Sequence, residues 1–284
     1  MKAQHLRSPA SVKNKLVSLA TSMDRDFNGL ALEFAIERLV VRLQRNAQLT
    51  KHLIFKGGFV MLKAYGSNRA TVDLDTSIQS ISVEEAEELA RAVIQEDCED
   101  GLWMGAIETE KLEHQTKYAG LRLTIRFSFG KPKVDVKRLG KVILDIGVAD
   151  VITPAPTISK IHPVLGGEPI AWQVYPLETI AAEKLHALIN HGSLNSRFKD
   201  IYDLTIILPR CDRSVLGRGI KRTFSHRSTP IPASFFEHWQ KLDKSVLKRS
   251  SGAVFAASGT IPSFAELDRT LSRLLKDFDT LAIT

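Results

Sequence analysis

The segment Phe55–Ser77 constrains the fold most, because it combines a glycine pair with two closely spaced aspartates. Gly57 and Gly58 separate two apolar runs, which predicts a tight strand-to-helix turn that offers backbone N–H groups to an anion. Asp73 and Asp75 lie in an alternating apolar–polar stretch, so a strand would present both carboxylates on one face. These features favour a site that holds phosphate beside a divalent metal ion.

A third carboxylate, Asp145, lies within the β-branched run Val142–Ile146, which is typical of a buried strand. Three carboxylates on adjacent strands can hold two divalent ions that act on both oxygens of an in-line phosphoryl displacement. We therefore predict Mg²⁺ as the cofactor, with Mn²⁺ as the alternative ion, because hard oxygen ligands suit it and substrate phosphates complete its coordination. A D-x-D pair alone also occurs as a simple polar pair at a strand edge.

Three residues near the glycines and aspartates are candidate nucleotide contacts: Lys56, Arg69 and Thr71. Lys56 is either a phosphate contact or a cation at a strand end. The glycine pair fits neither the Walker pattern nor G-x-G-x-x-G, which argues against a P-loop or a dinucleotide site.

Further candidates lie in the later, mostly helical part of the chain. Lys184 lies on a predicted helix, where a solvated lysine is the usual alternative. Asp200 and Asp203 share one face of the next helix, which Arg197 precedes. The alternatives are a helix-dipole role for Asp200 and an i, i+4 ion pair between Lys199 and Asp203.

Composition argues against a cysteine-ligated metal protein, a secreted protein and a membrane-spanning protein. The 284 residues include two cysteines without metal-ligand spacing, and lysines interrupt any apolar signal segment. No apolar run reaches the length of a membrane span, so we predict a cytoplasmic protein without membrane contact. The net charge of +7 is compatible with a polyanionic partner. The basic segment Arg210–Arg227 is either a nucleic-acid contact or a solvated face.

The order of predicted elements is α+β, with strands and helices first and helices afterwards. The prolines and glycines between Pro154 and Pro169 indicate a long connection, which divides the chain into domains 1–155 and 156–284. We also predict one helix over Leu30–Gln48, one over Val83–Glu96 with Ser82 as its N-cap, a weak strand over Gly105–His114 and one helix over Ser234–Arg249. The clearest predicted strand is Leu121–Phe129, in which the apolar residues face one way and Arg122, Thr124, Arg126 and Ser128 face the other.

The motifs of this chain, taken together, resemble those of the AbiEii/AbiGii-type (MenT-like) nucleotidyltransferase toxins of type IV toxin–antitoxin systems. The resemblance covers nearly the whole chain and rests on the ordered set of motifs. The motifs are Phe55-Lys56-Gly57-Gly58, Arg69-x-Thr71-x-Asp73-x-Asp75, Leu144-Asp145-Ile146-Gly147, Tyr175-Pro176-Leu177-Glu178 continuing to Leu185, Asn195-Ser196-Arg197-x-Lys199-Asp200-x-Tyr202-Asp203-Leu204, and Thr223-Phe224 with Arg227-x-Thr229.

This resemblance implies a DNA polymerase β-like nucleotidyltransferase core followed by a helical C-terminal domain that completes a cleft. It implies that the glycine pair holds the triphosphate, that Asp73 and Asp75 bind Mg²⁺, and that Lys184 and Asp200 lie across the cleft. Characterised members transfer nucleotides from an NTP, in some cases to the 3′ end of tRNA, which blocks translation. Many nucleotidyltransferases have Gly-Ser where this chain has Gly57-Gly58. This chain therefore lacks one hydroxyl contact to phosphate.

We therefore predict a nucleotidyltransferase toxin that uses an NTP, modifies tRNA or another RNA, and has a cognate antitoxin encoded nearby. Asp73 and Asp75 would hold the ions, Asp145 would complete the metal site or activate the attacking hydroxyl, and Lys184 with Arg69 would neutralise the triphosphate. Two alternatives are a metal-dependent glycosyltransferase that uses a nucleotide-sugar and a non-catalytic basic protein that binds RNA.

Overall fold

The computed structural model describes residues 8–112, 120–148, 151–258 and 261–281, and for residues 252–258 it describes the backbone alone. The strands are β1 (Leu53–Lys56), β2 (Asp73–Ile78), β3 (Leu102–Leu112), β4 (Gly120–Phe129), β5 (Gly140–Val148), β6 (Thr157–Ile161) and β7 (Ile170–Val174). The α-helices are α1 (Pro9–Ser22), α2 (Phe27–Leu43), α3 (Ala47–His52), α4 (Gly57–Ala64), α5 (Val83–Ile94), α6 (Leu177–His191), α7 (Phe198–Ile207), α8 (Arg213–His226), α9 (Phe235–Lys241), α10 (Ser245–Ser258) and α11 (Phe264–Leu281).

The chain packs as two compact units, and each unit combines separate stretches of sequence. Unit 1 consists of Met1–Phe59, Thr71–Asp150 and Ile158–Gln173, and unit 2 of Val60–Ala70, Val151–Thr157 and Val174–Thr284. The boundary predicted at residue 155 lies within a stretch that packs with unit 2. The division into domains 1–155 and 156–284 stays a prediction.

Unit 1 is built on a mixed seven-stranded sheet with the strand order β3-β4-β5-β2-β1-β7-β6. The central strands β2 and β5 are parallel, whereas β1 with β2, β3 with β4, and β4 with β5 are antiparallel. The alternation predicted for β4 is confirmed from Leu121 to Phe127, because Leu121, Leu123, Ile125 and Phe127 are buried while the intervening side chains are half-buried. Phe129, at the end of the strand, is half-buried. One face of these strands therefore supports the core, and the other carries polar groups.

Local capping determines where several helices begin. Asn46 accepts a hydrogen bond from the Leu49 N–H at 3.0 Å and starts α3, so the single helix predicted over Leu30–Gln48 was wrong. Asp243 accepts from the Ser245 N–H at 2.9 Å where α10 begins, so the helix predicted over Ser234–Arg249 is also two helices. In both places an Asx side chain favours a turn over continued helix.

The connection predicted between Pro154 and Pro169 contains structure that its composition did not reveal. Strand β6 lies within it and strand β7 follows directly, and together they extend the sheet on the far side of β1. Trp172 of β7 is buried, with its ring centroid 5.3 Å from that of Phe55 and 5.7 Å from that of Phe59. Aromatic packing therefore fixes this end of the sheet. The weak strand Gly105–His114 is confirmed as β3, and its predicted end at His114 lies outside the described residues.

Unit 2 contains α6 to α11, with α6 packed against α7 and α8, and α11 against α7 and α9. The prediction of an α+β chain with a helical C-terminal part is thus confirmed. None of the helices in the described ranges is long and apolar enough to cross a membrane.

A buried histidine in unit 2 makes the stability of the protein dependent on pH. The His186 ring is 5% exposed, with Nε2 2.9 Å from the Thr229 hydroxyl and Nδ1 3.3 Å from the Arg227 guanidinium. Burial, followed by the positive charge of Arg227, lowers the pKa of His186 to about 4. The ring is therefore neutral in the folded protein at pH 6, where it accepts a hydrogen bond from Arg227 and donates one to Thr229.

We expect the free energy of unfolding to fall by about 3 kcal/mol as pH is lowered from about 6.5 to about 4. Between these values the unfolded chain binds a proton at His186 and the folded chain does not, so acid favours unfolding. Urea denaturation at a series of pH values measures this slope. His186→Gln should flatten it, whereas the control His162→Gln, which changes an exposed histidine, should not. An unchanged slope in His186→Gln would contradict this assignment.

Candidate active site

Strand register brings the three predicted carboxylates together on one face of the sheet. Asp75 of β2 lies directly beside Asp145 of the parallel strand β5, and Asp73 precedes Asp75 by two residues on the same face. Each side chain offers an oxygen atom within 4.8 Å of the other two. We call Asp73, Asp75 and Asp145 the acidic triad.

The acidic triad fits a hard divalent cation. All three side chains are half-buried, so they are accessible to an ion, and every donor is a carboxylate oxygen. Three negative charges this close repel one another, and a cation between them would relieve that repulsion.

The glycine turn is fitted closely to this site. Gly57 has φ +72°, and a Cβ atom there would lie 1.8 Å from Oδ2 of Asp75. The first residue of α4 therefore has to be glycine for two reasons, its left-handed backbone and the contact with the carboxylate. This close approach places the start of α4 against Asp75 of the acidic triad. Gly58 is the second residue of the same helix.

Two further predicted residues lie beside the triad. Lys56 of β1 is directly opposite Asp75 in the antiparallel register, which places the lysine on the face that carries the carboxylates. The Thr71 hydroxyl donates a hydrogen bond to Oδ1 of Asp73 at 2.9 Å and so helps to orient that carboxylate.

Arg122, which sequence reasoning did not single out as a site residue, binds the third carboxylate. Its Nε and Nη2 atoms donate to the two oxygens of Asp145 at 2.8 and 2.7 Å. The hydrogen bonds to Asp145 raise the pKa of Arg122 above its ordinary value. The alternation in β4 had placed Arg122 on the polar face. The register that sets it opposite Asp145 could not be inferred, because the ten-residue connection between β4 and β5 fits several registers.

The predicted residues of unit 2 form a second, buried cluster of charges. Lys184 of α6 lies 2.5 Å from Asp200 and 2.8 Å from Asp203, both on α7. Arg69 donates to both oxygens of Asp203 at 2.9 and 2.8 Å, and Arg197 donates to Asp200 at 2.5 Å. We call these five residues the charged cluster.

The charged cluster differs from two of the simple alternatives considered for its members, a solvated Lys184 and an ion pair between Lys199 and Asp203. Lys184 is 8% exposed and Asp203 is fully buried, so neither is a solvated surface group. Asp203 pairs with Arg69 and Lys184, which is a different arrangement from an i, i+4 pair with Lys199.

Paired charges keep the members of the cluster ionised. Burial alone would lower the pKa of Lys184, but Asp200 and Asp203 outweigh it and raise that pKa. Burial alone would likewise raise the pKa values of the two aspartates, and the neighbouring cations lower both, Lys184 being the largest contributor. The cluster is therefore a network of mutually compensating charges. Removal of one partner leaves an opposite charge unpaired in a low-dielectric interior.

A mixed sheet that carries three carboxylates beside a glycine turn and a helix start has the features of a nucleotidyltransferase. The family model described as "Nucleotidyl transferase AbiEii toxin, Type IV TA system" matches residues 38–280. The chain belongs to this family of nucleotidyltransferase toxins of toxin–antitoxin systems. Membership implies an NTP substrate and a cognate antitoxin, and it sets aside both the glycosyltransferase and the non-catalytic alternatives.

Two solved structures from Helicobacter pylori share the fold. JHP933 is 16% identical with a TM-score of 0.51, over 87% of this chain and 90% of that one. A chain from the same organism assigned as a nucleotidyltransferase is 16% identical with a TM-score of 0.52, over 87% of this chain and 93% of that one. No curated protein matches the sequence.

Proposed function

We propose that this protein transfers a nucleoside monophosphate from an NTP to an acceptor hydroxyl at the 3′ end of tRNA, with Mg²⁺ as its cofactor. The convergence of Asp73, Asp75 and Asp145 within 4.8 Å is the observation that carries this proposal. A toxin with this activity would inhibit translation, because a tRNA with a blocked 3′ end cannot be aminoacylated.

The reaction requires a new bond between the acceptor oxygen and the α-phosphorus of the NTP. The bond from that phosphorus to the bridging oxygen breaks, pyrophosphate leaves, and the hydroxyl proton passes to a base or to solvent. Bound divalent ions supply charge neutralisation at the phosphates. The role of the protein is mainly to position these groups and to stabilise the developing charge.

The residues of unit 1 would divide this work. Asp73 and Asp75 would hold the metal, with Thr71 orienting Asp73 through its 2.9 Å hydrogen bond. Gly57 and Gly58 would place the backbone of the first turn of α4 beside the triphosphate. Lys56 would add a positive charge on the same face.

Asp145 would either complete the metal site or accept the proton of the attacking hydroxyl. Its double hydrogen bond to Arg122 supports a fixed orientation of the carboxylate, which both roles require.

Lys184 and Asp200 carry over from the motifs of the family, and we propose that both contribute to transfer. In this structure Lys184 is bound to two carboxylates, Asp200 and Asp203. The positive charge that Lys184 offers to a phosphate would therefore depend on how far Asp200 and Asp203 neutralise it. Asp203 and Arg197 would act as positioning residues for these two groups.

Incubation of the protein with Mg²⁺, each labelled NTP in turn and total tRNA tests the proposal directly. We expect one NTP to yield a labelled tRNA lengthened at its 3′ end. Periodate oxidation of the tRNA 3′ ribose should abolish labelling, because it destroys the acceptor hydroxyl. Labelling that survives this treatment, or that appears only on protein, would contradict the proposed acceptor. Substitution of Mn²⁺ for Mg²⁺ in parallel reactions decides which ion supports transfer.

A further inference from the structure

The polar face of the sheet in unit 1 continues beyond the acidic triad into a set of cations. On this face Arg122 lies opposite Asp145, and four residues further along each strand Arg126 lies opposite Lys141. Four residues of extended strand span about 13 Å, so this second pair is close to the triad but separate from it. Arg126 is half-buried and Lys141 is exposed.

Arg126 and Lys141 form a like-charged cross-strand pair, which destabilises a sheet. In the part of the chain that the structure describes, no ion pair joins a carboxylate to Arg126 or Lys141, and the Arg126 guanidinium donates to the Lys137 carbonyl at 3.4 Å. The acidic residues of β3, Glu108 and Glu110, lie opposite Thr124 and Arg122 instead. The pair of cations therefore lacks a negative charge that would relieve its repulsion. An anionic ligand would supply that charge.

An aromatic side chain lies next to this pair. Trp103 of β3 is opposite Ser128, and Gly105 is opposite Arg126, so all four lie on the same face. A Cβ atom on Gly105 would lie 2.7 Å from the indole ring of Trp103, which shows that the ring extends over the glycine towards Arg126. Trp103 is half-buried, whereas the other two tryptophans, Trp172 and Trp239, are 1% and 0% exposed.

We propose that Trp103, Arg126 and Lys141 form a binding track for single-stranded RNA that leads to the acidic triad. Cations that follow a phosphate backbone beside an aromatic platform for bases are the general means of binding single strands. This proposal rests on the proposed function in one respect, the identification of the bound RNA as the acceptor strand. Its distance from the triad suits nucleotides that precede the reacting 3′ end.

Binding of a labelled single-stranded oligoribonucleotide, without NTP or divalent ions, tests the track separately from catalysis. For Arg126→Gln/Lys141→Gln we expect weaker binding and a slope of log affinity against log salt that is smaller by about 1.4, since each lost contact removes about 0.7. The control Lys13→Gln/Lys15→Gln removes the same charge from the exposed side of α1 and should leave the slope unchanged. Equal slopes for both double variants would overturn the proposal.

Trp103 provides a second measurement that needs no charge variant. Stacking of a base should quench its fluorescence and protect it from iodide, while the two buried tryptophans report no change. Trp103→Ala should remove this signal and weaken RNA binding about fivefold or more, as expected for a lost base–aromatic contact. Quenching that persists in Trp103→Ala would contradict the track, and so would quenching by an acidic protein but not by RNA.

The two proposals fail in different ways. RNA that binds the track but is never lengthened would overturn the proposed acceptor and leave the track intact. Transfer to tRNA that proceeds with an unchanged KM in the Arg126→Gln/Lys141→Gln and Trp103→Ala variants would overturn the track and leave the proposed function intact.

Discussion

Asp73→Asn is expected to lower nucleotide transfer by about a thousandfold or more while the protein stays folded. The substitution removes one of three carboxylates that lie within 4.8 Å of one another, and with it a charged ligand for the metal. The asparagine oxygen can still accept the hydrogen bond from Thr71, so the local geometry is kept. Transfer of label from an NTP at saturating Mg²⁺ measures the loss.

Stability and metal binding separate this effect from misfolding. The loss of one of three mutually repelling carboxylates should leave the free energy of unfolding equal to or slightly above that of the unmodified protein. Binding of Mn²⁺, followed by electron paramagnetic resonance, should weaken in parallel with transfer. Asp97→Asn, which changes an exposed aspartate of the same unit, serves as the matched control and should alter neither property. Undiminished transfer by Asp73→Asn would refute the assignment of the triad.

Asp203→Asn is expected to lower the free energy of unfolding by about 3–5 kcal/mol. Asp203 is fully buried and binds Arg69 and Lys184, so its neutralisation removes one carboxylate from two buried cations. Urea denaturation followed by circular dichroism measures the loss. Hydrogen exchange should accelerate in α6 and α7, which carry the cluster.

Arg197→Gln is the control for this effect, because it removes a charge from the same cluster at its exposed edge. The Arg197 side chain is 56% exposed, so we expect its loss to cost less than about 1 kcal/mol. If Asp203→Asn were no more destabilising than Arg197→Gln, the charged cluster would not be the compensated network inferred from its contacts.

Several features could be predicted from the sequence because they depend on local chemistry. The alternation in β4, the Ser82 side chain that caps α5 by accepting from the Glu85 N–H, and the spacing of Asp73 and Asp75 are each set by neighbouring residues. The periods of strands and helices determine which side chains share a face, so the acidic face of β2 followed directly. The ordered motifs also identified the family, since each motif occurs in sequence without reference to packing.

The tertiary structure decided which of these faces meet. The register of β2 with β5 placed Asp75 beside Asp145, and the register of β4 with β5 placed Arg122 on that carboxylate and Arg126 opposite Lys141. Arg69 and Asp203 are 134 residues apart in the chain, and no periodicity links them. Strand register and distant ion pairs depend on long-range packing, which a local pattern does not encode. The sequence therefore predicted the candidate residues of the site and identified the class of enzyme, and only the folded chain determined the partners of those residues.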